Sequence, residues 1–244
     1  MYKRETRIRF SEVDKSGFLT MGALLRLFQD LIFTYVADKN LGEEYTAKTG
    51  CTWFRLSWQI DVIKMPRVTQ RVTLSTHITE VRQSLVYMEI EMRDEDGNRL
   101  AIAEDMLAYY NIEEGTVEIQ DESIWPHGDF GEKSQHLFRG RKIAVSKANR
   151  FSLAQTFKIT RHMLDLNGHA NNVRLIEKAL EICGLEDYDV KSLRAEFKNQ
   201  ILPEWDISAF VCETDGVVKV EFKNEYGLLC NVFEFSVLDY VDFI

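Results

Sequence analysis

The chain has 244 residues, 45% hydrophobic and 28% charged, with three prolines, which excludes a disordered or low-complexity protein. A net charge of -9 argues against general nucleic-acid binding. No apolar run reaches the ~20 residues that cross a bilayer, and the opening Met-Tyr-Lys-Arg-Glu-Thr-Arg lacks the apolar core of a signal peptide. Cys51, Cys183, Cys212 and Cys230 have neither paired nor metal-type spacing. Reduced thiols in a cytoplasmic protein are therefore expected, with no metal and no cofactor.

In chain order, Asp14-Lys15-Ser16-Gly17-Phe18-Leu19-Thr20 leads into a helix whose apolar positions are Met21, Leu24, Leu25, Phe28, Leu31, Ile32, Tyr35 and Val36, with Thr20 as N-cap. Leu56, Trp58, Ile60 and Val62 then alternate with Ser57, Gln59 and Asp61, which predicts a strand, and Asp96-Gly97 predicts a tight hairpin. Residues 126–150 read as a connector between a first domain, 1–125, and a second, 151–244. Pro126-His127-Gly128-Asp129 breaks structure, and Arg139, Arg141, Lys142, Lys147 and Arg150 follow in a stretch without an acid. That stretch is either a docking patch for an acidic partner or a solvated linker face.

The second half carries Asp165-Leu166-Asn167-Gly168-His169-Ala170-Asn171-Asn172 directly before an amphipathic helix from Val173 to about Cys183, with Ile176 and Leu180 on its apolar stripe. In an extended approach, Asp165, Asn167 and His169 alternate and leave the same side of the backbone. An acid, a carboxamide and an imidazole beside a helix N-terminus orient water and polarise a carbonyl, which suits acyl transfer to water. The alternative is that Asp165 and Asn171 cap the helix while His169 packs or faces solvent. Trp205, Ile207, Ala209 and Val211 then alternate as a strand, and Asp215-Gly216 marks another hairpin.

The two halves share an ordered pattern. Asp14 and Gly17 match Asp165 and Gly168 at a separation of 151, Pro66 matches Pro203 at 137, and Gly97 matches Gly227 at 130. The shrinking separation is that of a second copy with shorter loops. Each half reads as a strand, a long helix and several antiparallel strands, an α+β arrangement with the helix across one sheet face.

Over nearly its whole length the sequence resembles a bacterial acyl-acyl carrier protein thioesterase, related to the plant plastid enzymes. The resemblance rests on Ser11-Glu12-Val13-Asp14-Lys15-Ser16-Gly17, Leu24-Leu25, Gln29-Asp30, Trp53, Asp94-Glu95-Asp96-Gly97 and, most specifically, the segment from Asp165 to Asn172. It implies a tandem (double) hotdog fold, each half a long helix wrapped by an antiparallel sheet. It implies catalytic roles for Asp165, Asn167 and His169, and a glutamate at the position of Gln200. Glutamine cannot act as a general base or form an acyl anhydride, though it can hydrogen-bond water or the thioester. The plant enzymes' cysteine after that glutamate is replaced by Ile201.

Phe18 and Ser16 stand where the second half has His169 and Asn167. One active site per chain follows, with the first half shaping the acyl pocket. His169 and Asp165 are expected to position or deprotonate water, and Asn167 to hold that water or the thioester. Helix N–H groups near Asn171 are expected to polarise the thioester carbonyl. Aromatic elements around Phe28, Phe33, Trp53, Phe54 and Trp58 line an acyl tunnel or form ordinary core, and Trp53 is taken with Asn171 as a substrate contact. The expected partner is acyl carrier protein bearing a fatty acyl thioester, with no membrane span and a homodimer among the assembly options. An acyl-coenzyme A thioesterase and a non-catalytic acyl-binding protein are the rival readings.

Overall fold

The structure, a computed structural model, describes residues 1–145, 150–166, 168–186 and 190–237. They form two compact units, Met1–Arg139 and Gly140–Ile244.

In the first unit, β1 (Tyr2–Arg7) is followed by α1 (Met21–Asp38), a short α2 (Glu43–Thr49), β2 (Cys51–Val62), β3 (Arg71–Arg82), β4 (Leu85–Arg93), β5 (Arg99–Asn111) and a two-residue β6 (Thr116–Val117). The strand order is β1-β3-β4-β5-β2, antiparallel throughout, with β6 on β5. Helix α1 starts where Thr20 Oγ1 accepts the Ala23 N–H at 3.1 Å. It buries Met21, Leu24, Leu25, Phe28, Leu31, Ile32 and Tyr35, the predicted stripe except Val36, which is half-buried. Burying each of the larger side chains contributes about 1.5–3 kcal/mol. On β2, Trp58 and Ile60 are buried as their alternation predicts, while Leu56 is half-buried because a bulge between Arg55 and Ser57 shifts the side-chain parity.

The second unit repeats this plan with β7 (Ser152–Lys158), α3 (Asn172–Cys183), β8 (Val190–Phe197), β9 (Asp206–Thr214), β10 (Val217–Asn224) and β11 (Leu229–Val237). Its order, β7-β9-β10-β11-β8, is that of the first unit element for element. Helix α3 ends at Gly184, whose φ of 65° needs the left-handed region. The hairpin turns also correspond. Asp94 Oδ1 accepts the Asp96 and Asn98 N–H groups, and Asn224 Oδ1 accepts those of Tyr226 and Leu228. Gly97 and Gly227 follow with φ of 82° and 78°.

The connector is held against the strands. In the first unit, the Gly131 N–H donates to Ile78 O, Ser134 to Glu89, Lys133 to Glu104, and the Arg139 N–H to Gln59 Oε1, while the His136 ring lies 2.6 Å from Asp61 Oδ2. In the second, Arg194 donates to the carbonyls of Gly140 and Lys142, the Ile143 N–H donates to Glu196, and Lys219 donates to Ala144 O. Of these strand groups, Gln59, Glu89, Glu104, Arg194 and Glu196 are buried, and the connector supplies each with a hydrogen-bond partner.

Candidate active site

The segment before α3 closes on itself. Asp165 Oδ1 accepts the His169 N–H at 3.0 Å, the Asp165 N–H donates to His169 O at 2.8 Å, and the Gly168 N–H donates to Asp165 O at 3.1 Å. Gly168 has φ 76°, and Leu164 bridges Ala170 across the base of the turn. The expected extended approach is therefore replaced by a tight turn, because the short Asp165 carboxylate captures a backbone N–H four residues on. Asn167 lies outside the described residues.

The first unit builds this turn from Asp14. Its Oδ1 accepts the Ser16 N–H (2.8 Å), the Ser16 hydroxyl (2.6 Å) and the Phe18 N–H (3.1 Å), and its own N–H donates to Phe18 O at 2.9 Å. Gly17 has φ 80°, and Val13 bridges Leu19. Asp14 thus holds a backbone shape in a unit that places Phe18 where the second presents a histidine. Asp165 makes the corresponding bond, its Oδ1 accepting the main-chain N–H of His169.

His169 is half-buried, and its ring makes no hydrogen bond among the described residues. Gln200 is exposed, three residues past the end of β8. The next residue, Ile201, is buried, and its carbonyl accepts the Ala170 N–H at 3.3 Å. Gln200 and His169 therefore precede two residues joined by a main-chain hydrogen bond. In the first unit the corresponding bond runs from the Leu19 N–H to Pro66 O at 2.9 Å. Ile201, rather than Pro203, is the structural counterpart of Pro66, which corrects that repeat anchor by two residues.

Asn171 is the N-cap of α3, its Oδ1 accepting the N–H groups of Val173 (2.9 Å) and Arg174 (3.4 Å). Those two donors are occupied by the cap itself. Trp53 donates its indole N–H to Gln120 Oε1 at 3.1 Å, an oxygen that also accepts from Trp125 at 2.9 Å. Its ring packs 5.4 Å from Tyr45, 5.2 Å from Tyr109 and 4.9 Å from Trp125. This is a satisfied aromatic cluster of the first unit. Phe28 and Trp58 are core, and Phe33 is exposed.

Other nearby groups are accounted for. Glu196 is buried, pairs with Lys198 at 2.7 Å and accepts the Ile143 N–H. Burial pushes the Cys183 thiol up to about 12 and raises that of Cys230, so neither supplies a thiolate near neutral pH. The residue that sequence patterning passed over is Asn231. It is a buried amide on β11 in step with Phe233 and Phe235, so its strand parity was the available signal.

With this geometry in view, residues 1–125 match the acyl-ACP thioesterase N-terminal domain family. The chain belongs to the acyl-ACP thioesterase family. It is a thioester hydrolase with a double hotdog fold. An acyl-ACP thioesterase from Bacteroides thetaiotaomicron is similar in structure, with 18% identity, a TM-score of 0.83 and 97% of each chain covered. A 12:0-ACP thioesterase from Umbellularia californica is similar with 14% identity, a TM-score of 0.80 and 96% of each chain covered. A Staphylococcus aureus protein in complex with CoA aligns with 59% of this chain and 94% of its own, at 14% identity and a TM-score of 0.52. No curated protein matches the sequence. No helix among the described residues is long and apolar enough to cross a membrane.

Proposed function

We propose that this family member hydrolyses fatty acyl thioesters of acyl carrier protein, releasing free fatty acid and carrier protein in fatty acid biosynthesis in the cytoplasm. The observation that carries this reading is the paired turn: one fold element is built twice, and only the copy in the second unit bears a histidine. Water supplies the oxygen that bonds to the acyl carbon, and the C–S bond breaks. His169 takes a proton from that water and returns it to the leaving sulfur. Asp165 positions His169 through the main chain, Asn167 holds water or thioester, and Gln200 orients the water by hydrogen bonding. Asn171 shapes the helix entry to the substrate, and Trp53 supports the acyl-binding unit through packing.

The partner surface follows from charge. An acidic carrier approaching a chain of net charge -9 needs a local basic patch. Arg174 and Lys178 are paired on their own helix with Glu177 and Glu181. Arg141 and Lys142 are exposed on the connector and suit the role better, together with the exposed Arg150. Lys147 lies outside the described residues. The test is thiol release from matched acyl-carrier-protein and acyl-coenzyme A substrates. A carrier-protein preference supports the proposal, and a preference for coenzyme A of about tenfold, or 1.4 kcal/mol, overturns the substrate assignment. Carrier binding without hydrolysis identifies a non-catalytic acyl-binding protein. Sedimentation of the purified chain tests a homodimer.

A further inference from the structure

Asn231 stands alone as an amide on an aromatic face. Its cross-strand neighbours are Phe197 on β8 and Phe222 on β10, and Phe233 follows on the same face of β11. Phe233 packs 5.2 Å from Phe222 and 6.2 Å from Phe197. Asn231 is 2% exposed, and its Oδ1 is buried without a hydrogen-bond partner among the described residues. An unpaired buried acceptor costs the desolvation of that oxygen, and such groups call for an explanation. The hairpin correspondence, Gly97 with Gly227, places Ala101 at the equivalent position of the first unit. The polar group therefore occurs only in the unit that carries His169.

Its surroundings connect it to that histidine. Beyond Phe197, the N–H groups of Lys198 and Asn199 both donate to Cys230 O, at 2.8 and 3.1 Å. The Asn199 side chain donates to Leu229 O at 2.8 Å. Two residues later the Ile201 carbonyl accepts the Ala170 N–H. The start of β11, the Gln200 loop and the His169 turn are thus joined in one hydrogen-bonded block. Glu196 on the neighbouring strand β8 belongs to the other parity and is engaged by Lys198 and Ile143.

We infer that Asn231 is a positioning residue for the hydrolytic water, its Oδ1 accepting one water hydrogen bond while His169 takes the other proton. The inference rests on the proposed thioesterase reaction. Balance is unchanged by it: the water oxygen joins the acyl carbon, the C–S bond breaks, and the transferred proton leaves with the thiol.

The experiment measures kcat, KM and melting temperature for the full chain with an acyl-carrier-protein substrate, in wild type, Asn231→Leu and Asn231→Ala. The leucine variant fills a similar volume without an unpaired oxygen, so its melting temperature should equal or exceed that of wild type. Both variants should lose kcat by about tenfold or more, with KM within about twofold. Should Asn231→Leu fail to fold, the role of Asn231 is structural and the inference falls. It also falls if kcat is retained in both variants, or if KM alone rises. Wild-type turnover in the same assay separates this failure from failure of the thioesterase reading, which an inactive wild type would overturn.

Discussion

The two units share a strand order and a helix-entry turn, yet they place bulk differently at matched core positions. In the first, α1 presents Phe28 while β5 carries Ala101 and Ala103; all three are buried. At corresponding positions of the second, α3 has Ala179 and β11 has Asn231 and Phe233, also buried. At these matched positions the phenylalanine is on the helix in one unit and on the sheet in the other. A duplicated scaffold has therefore kept its backbone while changing which matched position carries the bulk, the kind of compensated change that close packing tolerates. The residues at the end of the matching turns differ as sharply, Phe18 against His169.

Truncating the bulky member of each pair should produce the largest effect. Phe28→Ala and Phe233→Ala should each cost about 3–5 kcal/mol of stability, because each side chain is fully buried and leaves a cavity in the core. Denaturant unfolding measures this. A cost below about 1 kcal/mol for either one would show that bulk in that unit is not borne by the layer assigned to it.

Gln200 should come next. Its first-unit counterpart is Met65, which offers no carboxamide. Gln200→Ala should lose about 1–3 kcal/mol of transition-state stabilisation in kcat/KM. Gln200→Glu should retain or raise activity, since a carboxylate can also act as base. Full activity in Gln200→Ala would remove this position from the mechanism.

How much of this was legible beforehand varied by element. The α1 stripe and its Thr20 cap were readable because helical spacing and a capping hydroxyl are local signals. The repeated hairpin was readable for the same reason, since Gly97 and Gly227 answer a backbone requirement. The shape around His169 was misread as extended, because alternation of polar residues cannot reveal that Asp165 bonds forward to a main-chain N–H. The connector's course was hidden for a different reason. Its partners, Gln59, Asp61, Arg194 and Glu196, are distant in sequence, and only folding shows that they face it. Asn231 was passed over: its strand parity was a weak signal, and its unpaired oxygen left none.

The Asp14 and Asp165 turns offer a smaller contrast. Asp14→Ala and Asp165→Ala should each lower stability by about 1 kcal/mol through lost side-chain to main-chain hydrogen bonds. Only Asp165→Ala should also reduce turnover per folded molecule. Equal turnover losses in both variants would mean that the first-unit turn also serves the reaction.

The smallest effect concerns acid. Burial acts to raise the Asp14 carboxyl, but hydrogen bonds from the Ser16 hydroxyl and from the Phe18, Ser16 and Gly17 N–H groups outweigh it and hold the group below its ordinary 3.8. A carboxyl lowered on folding contributes stability that is present above its unfolded value and lost as pH falls through the folded one. Wild type should therefore lose slightly more stability than Asp14→Asn as pH drops below about 4, as read by melting temperature against pH. Parallel curves would contradict this.

The comparison is tested most directly by giving the second unit the first unit's residue. In His169→Phe, thiol release from an acyl-carrier-protein substrate should fall by ~10²-fold or more, while the melting transition stays near that of wild type. Turnover within a few-fold of wild type would contradict the account and remove the histidine from the reaction.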